Sequence, residues 1–367
     1  MSAALMKATV LSIALSAFAC DAGKRSQSGT GDTGATTSSS STATGDMDAG
    51  GQPEAGPAII GGYYVQGNQI FRESDGGVHR FRGVARPSLE WSRTGEAMSL
   101  QDYQRMAGWG ANVVRIALNQ AFWLRGDLAT YQAIVNSNVG WAQQAGLDVI
   151  LDLHWSDRGT AQDDLEQQRM ADVNSLTFWT QVANAFKNNG RVLFELYNEP
   201  HDVTCDIWMN GGQSGDGFQV AGMQQLYNAV RATGAQNLVI VGGLDFAYDL
   251  GCVVTHRVDG YNVVYASHPY DHAHKLAANW DTDWGFVADT HPVMVTEFGI
   301  TSSGVSGGAC DATSYYSELI NYSNAKGVHW VAWAWYVGGC DFPSLLSGWD
   351  GTPTAAGQVV QAALAAP

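Results

Sequence analysis

Charged residues are scarce in this 367-residue chain, and positive charge is the scarcer sign. Only 15% of the residues are charged, against about 25% in typical soluble domains. The chain has 19 Lys and Arg against 35 Asp and Glu, which gives a formal charge of −16. Nucleic-acid binding needs a basic surface that replaces phosphate counterions, and attachment to anionic membranes needs the same sign of charge. The composition therefore argues against both classes of partner.

Long apolar runs are also lacking, and the one conspicuous run lies at the N-terminus. It covers residues 8–19, follows the single cation Lys7 and ends in small residues. It is too short to cross a bilayer, so residues 1–20 are predicted to be a secretory signal peptide. Cys20 comes next and is expected to be the lipidated cysteine of a bacterial lipoprotein, with ordinary cleavage as the alternative. The protein is expected on the outer cell surface or secreted.

The segment 21–57 has no Leu, Ile, Val or aromatic residue, and 20 of its 37 residues are Gly, Ser or Thr. Such a segment cannot bury apolar surface, so it is predicted to be a disordered linker. One folded domain is then expected over residues 58–367. Its 13 Trp, 14 Tyr and 12 Phe favour a large core and an uncharged, ring-shaped ligand.

Short apolar runs alternate with amphipathic stretches of helical length about eight times along this domain. Strands that are apolar throughout indicate burial on both faces, as in a parallel sheet covered by helices. We therefore predict an α/β fold, a (β/α)8 TIM barrel with a short N-terminal β-hairpin at 63–71 that closes its floor. A doubly wound open sheet is the alternative, but no Gly-rich phosphate loop follows the first strand. The predicted strands cover residues 79–85, 112–118, 147–154, 192–198, 238–242, 263–270, 293–298 and 328–335. The predicted helices cover residues 100–109, 129–145, 175–188, 217–233, 282–289, 313–325 and 353–365, and only the fifth crossover shows no clear helix.

Four cysteines remain after Cys20, an even number in an exported chain, so two disulfides are expected. None has the short spacing of a zinc site. In the predicted barrel, Cys205–Cys252 and Cys310–Cys340 lie in neighbouring loops, which favours this pairing among the three that are possible.

Two predicted strands end in glutamates, where a barrel of this kind places its active site. The fourth ends in Asn198-Glu199-Pro200, and the seventh ends in Thr296-Glu297. These strands lie across the barrel from one another, so the two carboxylates converge over its axis. Glycosidases use a pair of facing carboxyl groups for catalysis. On these motifs the domain, from residue 58 to the C-terminus, resembles glycoside hydrolase family 5, the cellulase-like family of retaining barrels.

The resemblance implies that Glu199 is the general acid/base and Glu297 the nucleophile. Retention needs the two carboxyl groups about 5 to 5.5 Å apart. Because like charges so close do not both ionise easily, the pKa of Glu199 is expected to rise while Glu297 stays ionised.

Further strand-end residues match positions of the family, and the resemblance implies a role for each. Arg115 would hold the nucleophile, His154 and Asn198 would bind sugar hydroxyls, His268 would support the acid/base, and Tyr270 would hydrogen-bond the nucleophile. Trp333 aligns best with the floor beneath the −1 sugar, and Trp335 is its alternative. Trp91 and Trp155 are candidate stacking platforms for further sugars.

No cofactor and no catalytic metal are expected. His268, Asp271, His272 and His274 have a spacing that could bind zinc, but the chain has no His-Glu-x-x-His motif. Binding of a structural ion without a catalytic role is left as an open alternative.

The sequence thus predicts a monomeric, retaining endo-β-1,4-glucanase that acts on a β-linked polysaccharide or oligosaccharide. A β-mannanase or another β-glucanase is the alternative within the family. The loop after the first strand departs from that of many cellulases, and its Arg86 and Glu90 could select such a substrate. The alternative of a different class is a non-catalytic barrel that binds polysaccharide.

Overall fold

The computed structural model describes residues 55–160, 162, 166–306, 312–339 and 342–366. The predicted signal peptide, Cys20, the Cys310–Cys340 pairing and residues 21–54 of the predicted linker lie outside this part of the chain. Within the described residues, no helix combines the length and the apolar character needed to cross a membrane.

Eight parallel strands close into a barrel, in which each strand pairs with the next along the chain and the eighth pairs with the first. This confirms the predicted (β/α)8 fold. The side chains along the strands are almost all buried, as expected when helices cover the outside and the inside is filled. The strands are β1 (Arg82–Arg86), β2 (Val113–Asn119), β3 (Asp148–Trp155), β4 (Val192–Glu195), β5 (Val239–Gly242), β6 (Val263–Ser267), β7 (Val293–Val295) and β8 (His329–Ala332).

Helices connect most of the strands, and side chains cap several of them where the sequence supplies a hydroxyl or a carboxylate. Ser99, Asp172 and Thr354 each accept a hydrogen bond from a backbone N–H of the first turn that follows. The α-helices are α1 (Leu100–Gly108), α2 (Gln120–Leu124), α3 (Leu128–Gln144), α4 (Val173–Phe186), α5 (Cys205–Asn210), α6 (Met223–Ala232), α7 (Ala277–Asp283), α8 (Ser314–Lys326) and α9 (Ala355–Ala365). Short 3-10 helices cover Gly251–Val254, Ala273–Lys275 and Gly285–Asp289.

The fourth crossover differs from the sequence-based expectation, and the fifth lacks a long helix, as expected. The predicted helix at 217–233 begins only at Met223, because a small hairpin of Gly212–Gln213 and Gln219–Val220 precedes it. The fifth crossover holds a turn at Leu244–Ala247 in place of a long helix. In that turn Asp245, Phe246 and Ala247 all have left-handed backbone angles, with φ between 55° and 57°. Such a conformation costs an L residue about 1 to 2 kcal/mol.

The N-terminal hairpin, Tyr63–Gln66 paired with Gln69–Arg72, closes the floor of the barrel. The Tyr63 hydroxyl donates to the carboxylate of Asp148, the first residue of β3, over 2.6 Å. The Tyr63 ring also packs edge-on against buried Phe81. The folded domain begins slightly before the predicted boundary at residue 58, since the Gly56 N–H donates to the Val65 carbonyl.

A disulfide joins Cys205, at the start of α5, to Cys252 in the 3-10 helix after β5. The predicted pairing of these two cysteines is thereby confirmed. The bond ties together the crossovers that follow β4 and β5, which are neighbours in the barrel.

Candidate active site

The two glutamates converge at the mouth of the barrel. β4 ends at Glu195 and β7 ends at Val295, so the chain has left the sheet before it reaches Glu199 and Glu297. The prediction extended the fourth strand to Asn198 and the seventh to Phe298, whereas in the structure both strands end three residues earlier. One carboxylate oxygen of each glutamate and one ring nitrogen of His268 lie within 4.8 Å of one another.

Arg115 is the central cation of the site. It is fully buried on β2, and its guanidinium donates to the carboxylate of Glu297 over 2.5 Å and to the side-chain oxygen of Asn198 over 2.7 Å. It also pairs with Glu195 and, over 2.9 Å, with Asp152. Burial lowers the pKa of Arg115, but these three carboxylates outweigh burial and raise the pKa well above its usual value. The guanidinium therefore orients the predicted nucleophile and stays charged.

Asp152 and Glu195 complete this buried network, and the sequence analysis gave neither of them a role. Both are fully buried, and they lie on β3 and β4, which follow the strand of Arg115 around the barrel. Burial raises the pKa of Glu195, but Arg115 and His268 outweigh it and lower the pKa to about 2. The available signal was Arg115 itself, because a buried cation in an apolar strand requires carboxylate partners nearby.

Tyr270 holds the second oxygen of Glu297. Its hydroxyl donates to Oε2 of Glu297 over 2.7 Å, while Arg115 binds Oε1. Burial, followed by the negative charge of Glu297, raises the pKa of Tyr270 well above its usual value, so the phenol remains a donor. The structure thus brings Arg115, Tyr270 and Glu297 together in the arrangement that the resemblance implied.

His268 contacts the other glutamate. Its Nδ1 lies 3.1 Å from Oε1 of Glu199, and its Nε2 lies 2.8 Å from the Thr296 hydroxyl. That hydroxyl donates in turn to Glu195 over 2.7 Å, so it accepts a hydrogen bond from the Nε2–H group. Burial lowers the pKa of His268, but the charge of Glu297 and the contacts with Glu195 and Glu199 outweigh it and raise the pKa to about 9. His268 is therefore an imidazolium at neutral pH.

The ionisation of Glu199 differs from the expectation. Burial raises its pKa, but the hydrogen bond and the charge of His268, together with a hydrogen bond from Gln167, outweigh burial and lower the pKa to about 2. The expectation of a raised pKa considered only the repulsion from Glu297 and left out the cation at 3.1 Å. In the free protein the proton of this pair resides on the imidazole.

Gln167 is a third residue of the site that had no predicted role. Its side-chain amide donates to Oε2 of Glu199 over 2.9 Å, and its oxygen accepts from Asn198 over 2.6 Å. It comes from the loop between β3 and α4, where neither periodicity nor a motif marks it. Asn198 is thereby fixed between Gln167 and Arg115.

Aromatic side chains line the barrel mouth beside Asn198. His154 stacks on Trp333 with a centroid separation of 5.5 Å and an interplanar angle of 10°. Its Nδ1 lies 2.6 Å from Asp152, and its Nε2 lies 3.4 Å from the Asn198 amide. Trp91 is half-buried, and its indole N–H donates to Glu96 over 3.0 Å.

The other two predicted tryptophans differ from each other in position. Trp155 ends β3 and is half-buried. Trp335 is not brought to the mouth: it is fully buried against Trp109, and its indole N–H donates to Asp102 of α1 over 2.8 Å. Because β8 ends at Ala332, the alternation of strand faces no longer applies at Trp335.

Arg86 and Glu90 are both buried beneath the loop after β1. The Arg86 guanidinium bonds to Asp102, to the Pro87 carbonyl and to the Glu96 carbonyl, which makes it part of the scaffold. Glu90 accepts a hydrogen bond from the Ser88 N–H over 2.7 Å, and burial raises its pKa to about 7.

The predicted histidine cluster does not form a single group of ligands. Asp271 accepts hydrogen bonds from the N–H groups of Thr301 and Ser306. His274 pairs with Asp245, while His268 lies at the glutamates. Among the described residues, the three side chains whose ligand atoms come close enough to hold a metal ion are Glu199, His268 and Glu297, which are the two predicted catalytic glutamates and the histidine beside them.

Comparison with known proteins agrees with this geometry. The family model described as cellulase, glycosyl hydrolase family 5, matches residues 73–339. An endoglucanase of Paenibacillus polymyxa is 26% identical over 340 residues, covering 76% of this chain and 80% of that protein. Endoglucanase N of Pectobacterium atrosepticum is 25% identical over 260 residues, which cover 70% of this chain and 53% of that longer protein.

Solved structures share the fold. The β-glucanase SdGluc5_26A from Saccharophagus degradans in complex with cellotetraose superposes with a TM-score of 0.68 at 23% identity, covering 87% of this chain and 97% of that one. The catalytic domain of the major endoglucanase from Xanthomonas campestris pv. campestris gives a TM-score of 0.64 at 20% identity, with 81% and 97% covered. With the family model spanning most of the barrel and both glutamates, this chain belongs to glycosyl hydrolase family 5, the cellulase family, and is a glycoside hydrolase.

Proposed function

We propose that this protein is a retaining endo-β-1,4-glucanase. The observation that carries the mechanism is the separation of the two glutamates, whose nearest carboxylate oxygens lie within 4.8 Å. Retaining glycosidases hold their carboxyl groups about 5 to 5.5 Å apart, whereas inverting enzymes leave about 6.5 to 9.5 Å for a water molecule. The spacing supports direct attack by one carboxylate.

The contacts of the two glutamates support different roles for them. Glu297 accepts hydrogen bonds from Arg115 and Tyr270, which hold its two carboxylate oxygens in place for attack. In the first step an oxygen of Glu297 bonds to the anomeric carbon, the glycosidic C–O bond breaks, and the leaving oxygen takes a proton from Glu199. In the second step water attacks the glycosyl ester, gives a proton to Glu199, and frees Glu297.

The Glu199–His268 pair supplies the proton for the first step. The imidazolium holds it in the free enzyme, and 3.1 Å separate Nδ1 from Oε1 of Glu199. When bound sugar excludes water from this mouth, the separated charges of the pair lose solvation, which favours transfer of the proton to the carboxylate. The pair then presents a neutral acid to the leaving oxygen.

The lining of the mouth supports an uncharged sugar substrate. Trp333, Trp91 and Trp155 would supply indole faces to sugar rings, and Asn198 and His154, whose side-chain nitrogens lie 3.4 Å apart, would bind sugar hydroxyls. The names of the relatives, endoglucanases, support β-1,4-glucan in particular. A β-mannanase or another β-glucanase remains the alternative, while the complete set of charged groups at the mouth disfavours a barrel that only binds polysaccharide.

Two measurements test this proposal. Reducing-end release on carboxymethyl cellulose, mixed-linkage glucan, xyloglucan, mannan and laminarin should be fastest on a β-1,4-linked glucan, and preference for mannan or laminarin would refute the substrate. NMR of the first product should show the β anomer, because two displacements restore the configuration. An initial α anomer would refute retention.

A further inference from the structure

The left-handed turn at Leu244–Ala247 lies directly beside the acid/base pair. Its three consecutive non-glycine residues with φ near 56° are an unusual conformation for L residues. Hydrogen bonds between the backbone N–H and C=O groups of Leu244 and Asp249 close the turn, over 2.8 and 2.9 Å. Strained backbone of this kind persists where its surroundings enforce it, and it concentrates at functional sites.

The turn contacts both members of the pair through the backbone. The N–H groups of Phe246 and Ala247 donate to the carbonyl of Pro200, the residue after Glu199, over 3.0 and 3.4 Å. The carbonyl of Ala247 accepts from the backbone N–H of His268 over 3.1 Å. A displacement of this turn therefore moves the backbone of the acid/base and of its proton donor together.

A stacked ring pair adds a further contact between the turn and the segment that carries Glu199. The Phe246 ring lies 4.1 Å from the His201 ring at an angle of 11°. His201 Nδ1 lies 2.9 Å from the carbonyl oxygen of Glu199. Neither residue carried a functional prediction from the sequence.

Lys275 contacts the turn through its side chain. Its side chain is only 5% exposed, and its ammonium donates to the Asp245 carbonyl over 2.6 Å and lies 3.4 Å from the Asp245 carboxylate. It also lies 5.0 Å from the centre of the Tyr248 ring and 5.7 Å from that of Phe246. A lysine this buried is retained only where its partners compensate for the lost hydration.

We propose that Lys275 is a positioning residue for the general acid: it holds the left-handed turn through Asp245, and the turn sets the place of Glu199 against the leaving oxygen. This inference rests on the proposed function. The proposal gives Lys275 an effect on only one of the two steps, the step in which Glu199 donates a proton and the glycosidic bond breaks. A lysine that merely stabilises the fold would affect all substrates alike.

The test is a series of aryl β-cellobiosides whose leaving groups differ in their need for a proton. 2,4-Dinitrophenolate departs without protonation, whereas phenolate requires it. A misplacement of about 1 Å can cost about 100-fold in rate, so we expect Lys275→Met to lose about 100-fold in kcat/KM on the phenyl substrate. On the dinitrophenyl substrate we expect a loss within about 3-fold.

Three further variants make the result decisive. Lys275→Arg keeps a donor to the turn and should restore part of the phenyl rate. Asp245→Asn, at a side chain 40% exposed, removes the ion pair with Lys275 without emptying a buried site and leaves the bond to the Asp245 carbonyl. It should show the same dependence on the leaving group to a smaller extent if Lys275→Met does not fold. Lys326→Met removes the lysine at the end of α8 that pairs with Asp281 over 2.8 Å. This control should change the hydrolysis of neither substrate.

Equal losses on both substrates in Lys275→Met and in Asp245→Asn, or no loss in either, would overturn the inference. If the unmodified protein hydrolyses neither cellobioside, the proposed function on which the inference rests is overturned instead. The two failures are distinguishable because the first leaves the unmodified protein active.

Discussion

Replacing His268 by Asn separates two functions of that histidine. The side-chain amide of Asn places a nitrogen near the position of Nδ1, so it keeps a hydrogen-bond donor for Oε1 of Glu199, 3.1 Å away in the unmodified protein. It cannot carry a titrating proton. The variant therefore removes the proton store of the acid/base pair while keeping a contact to Glu199.

The size of the effect follows from the pKa values. The pair holds its proton up to pH about 9, the pKa of His268. Without the imidazolium, Glu199 must hold the proton itself, and an enclosed glycosidase acid has a pKa of about 6. The basic limb of kcat/KM should then move from about 9 to about 6. At pH 8 the protonated fraction falls from about 0.9 to about 0.01, a loss of about 90-fold beyond any loss at pH 5.

The assay is the pH dependence of kcat/KM on a soluble β-1,4-glucan between pH 4 and 10. His201→Asn is the matched control, because His201 contacts the carbonyl of Glu199 rather than its carboxylate. The control should keep the basic limb of the unmodified protein. A basic limb within half a unit of the unmodified protein in His268→Asn would refute the assignment of the proton store.

Three further outcomes are expected. Replacing Cys205 and Cys252 by Ser should lower the free energy of unfolding by about 4 kcal/mol, the loop entropy for a separation of 47 residues, and urea titration of both forms measures it. Because the pKa of Glu195 is lowered to about 2, its contribution to stability is present above pH about 4.5 and is lost as the pH falls towards 2. Glu195→Gln should therefore give a shallower decline of stability over that range, and an unchanged slope would contradict the ion pair with Arg115. Cys20→Ala should abolish incorporation of labelled palmitate in the producing cell, and continued labelling would refute the lipid anchor.

The parts of the site that sequence predicts well are those that the strands deliver. Glu199 and Glu297 stand just beyond the ends of apolar strands, Arg115 lies within one, and the barrel brings all three to one mouth. Asp152 and Glu195 were predictable in principle, since a buried arginine requires carboxylate partners and each stands in an apolar strand that follows that of Arg115. Periodicity and motif therefore account for the charged centre of the site.

The features of the site that the sequence did not predict depend on loop residues and on interatomic distances. Gln167 contacts Glu199, and Lys275 contacts the turn beside it, from long connections where no repeat fixes the direction of a side chain. The choice between Trp333 and Trp335 depended on where β8 ends, which sequence places only within a few residues. The low pKa of Glu199 depends on a nitrogen 3.1 Å away, a distance that no pattern in the chain encodes.

The central claim is that Glu297 forms a covalent bond to the sugar. The most direct measurement is incubation with 2,4-dinitrophenyl 2-deoxy-2-fluoro-β-cellobioside, whose fluorine slows the second displacement, followed by mass spectrometry of the intact protein and its peptides. We predict one fluorocellobiosyl group per protein, on the peptide that contains Glu297. Labelling of another residue, or turnover of natural glucan by a Glu297→Ala variant at the unmodified rate, would contradict the account.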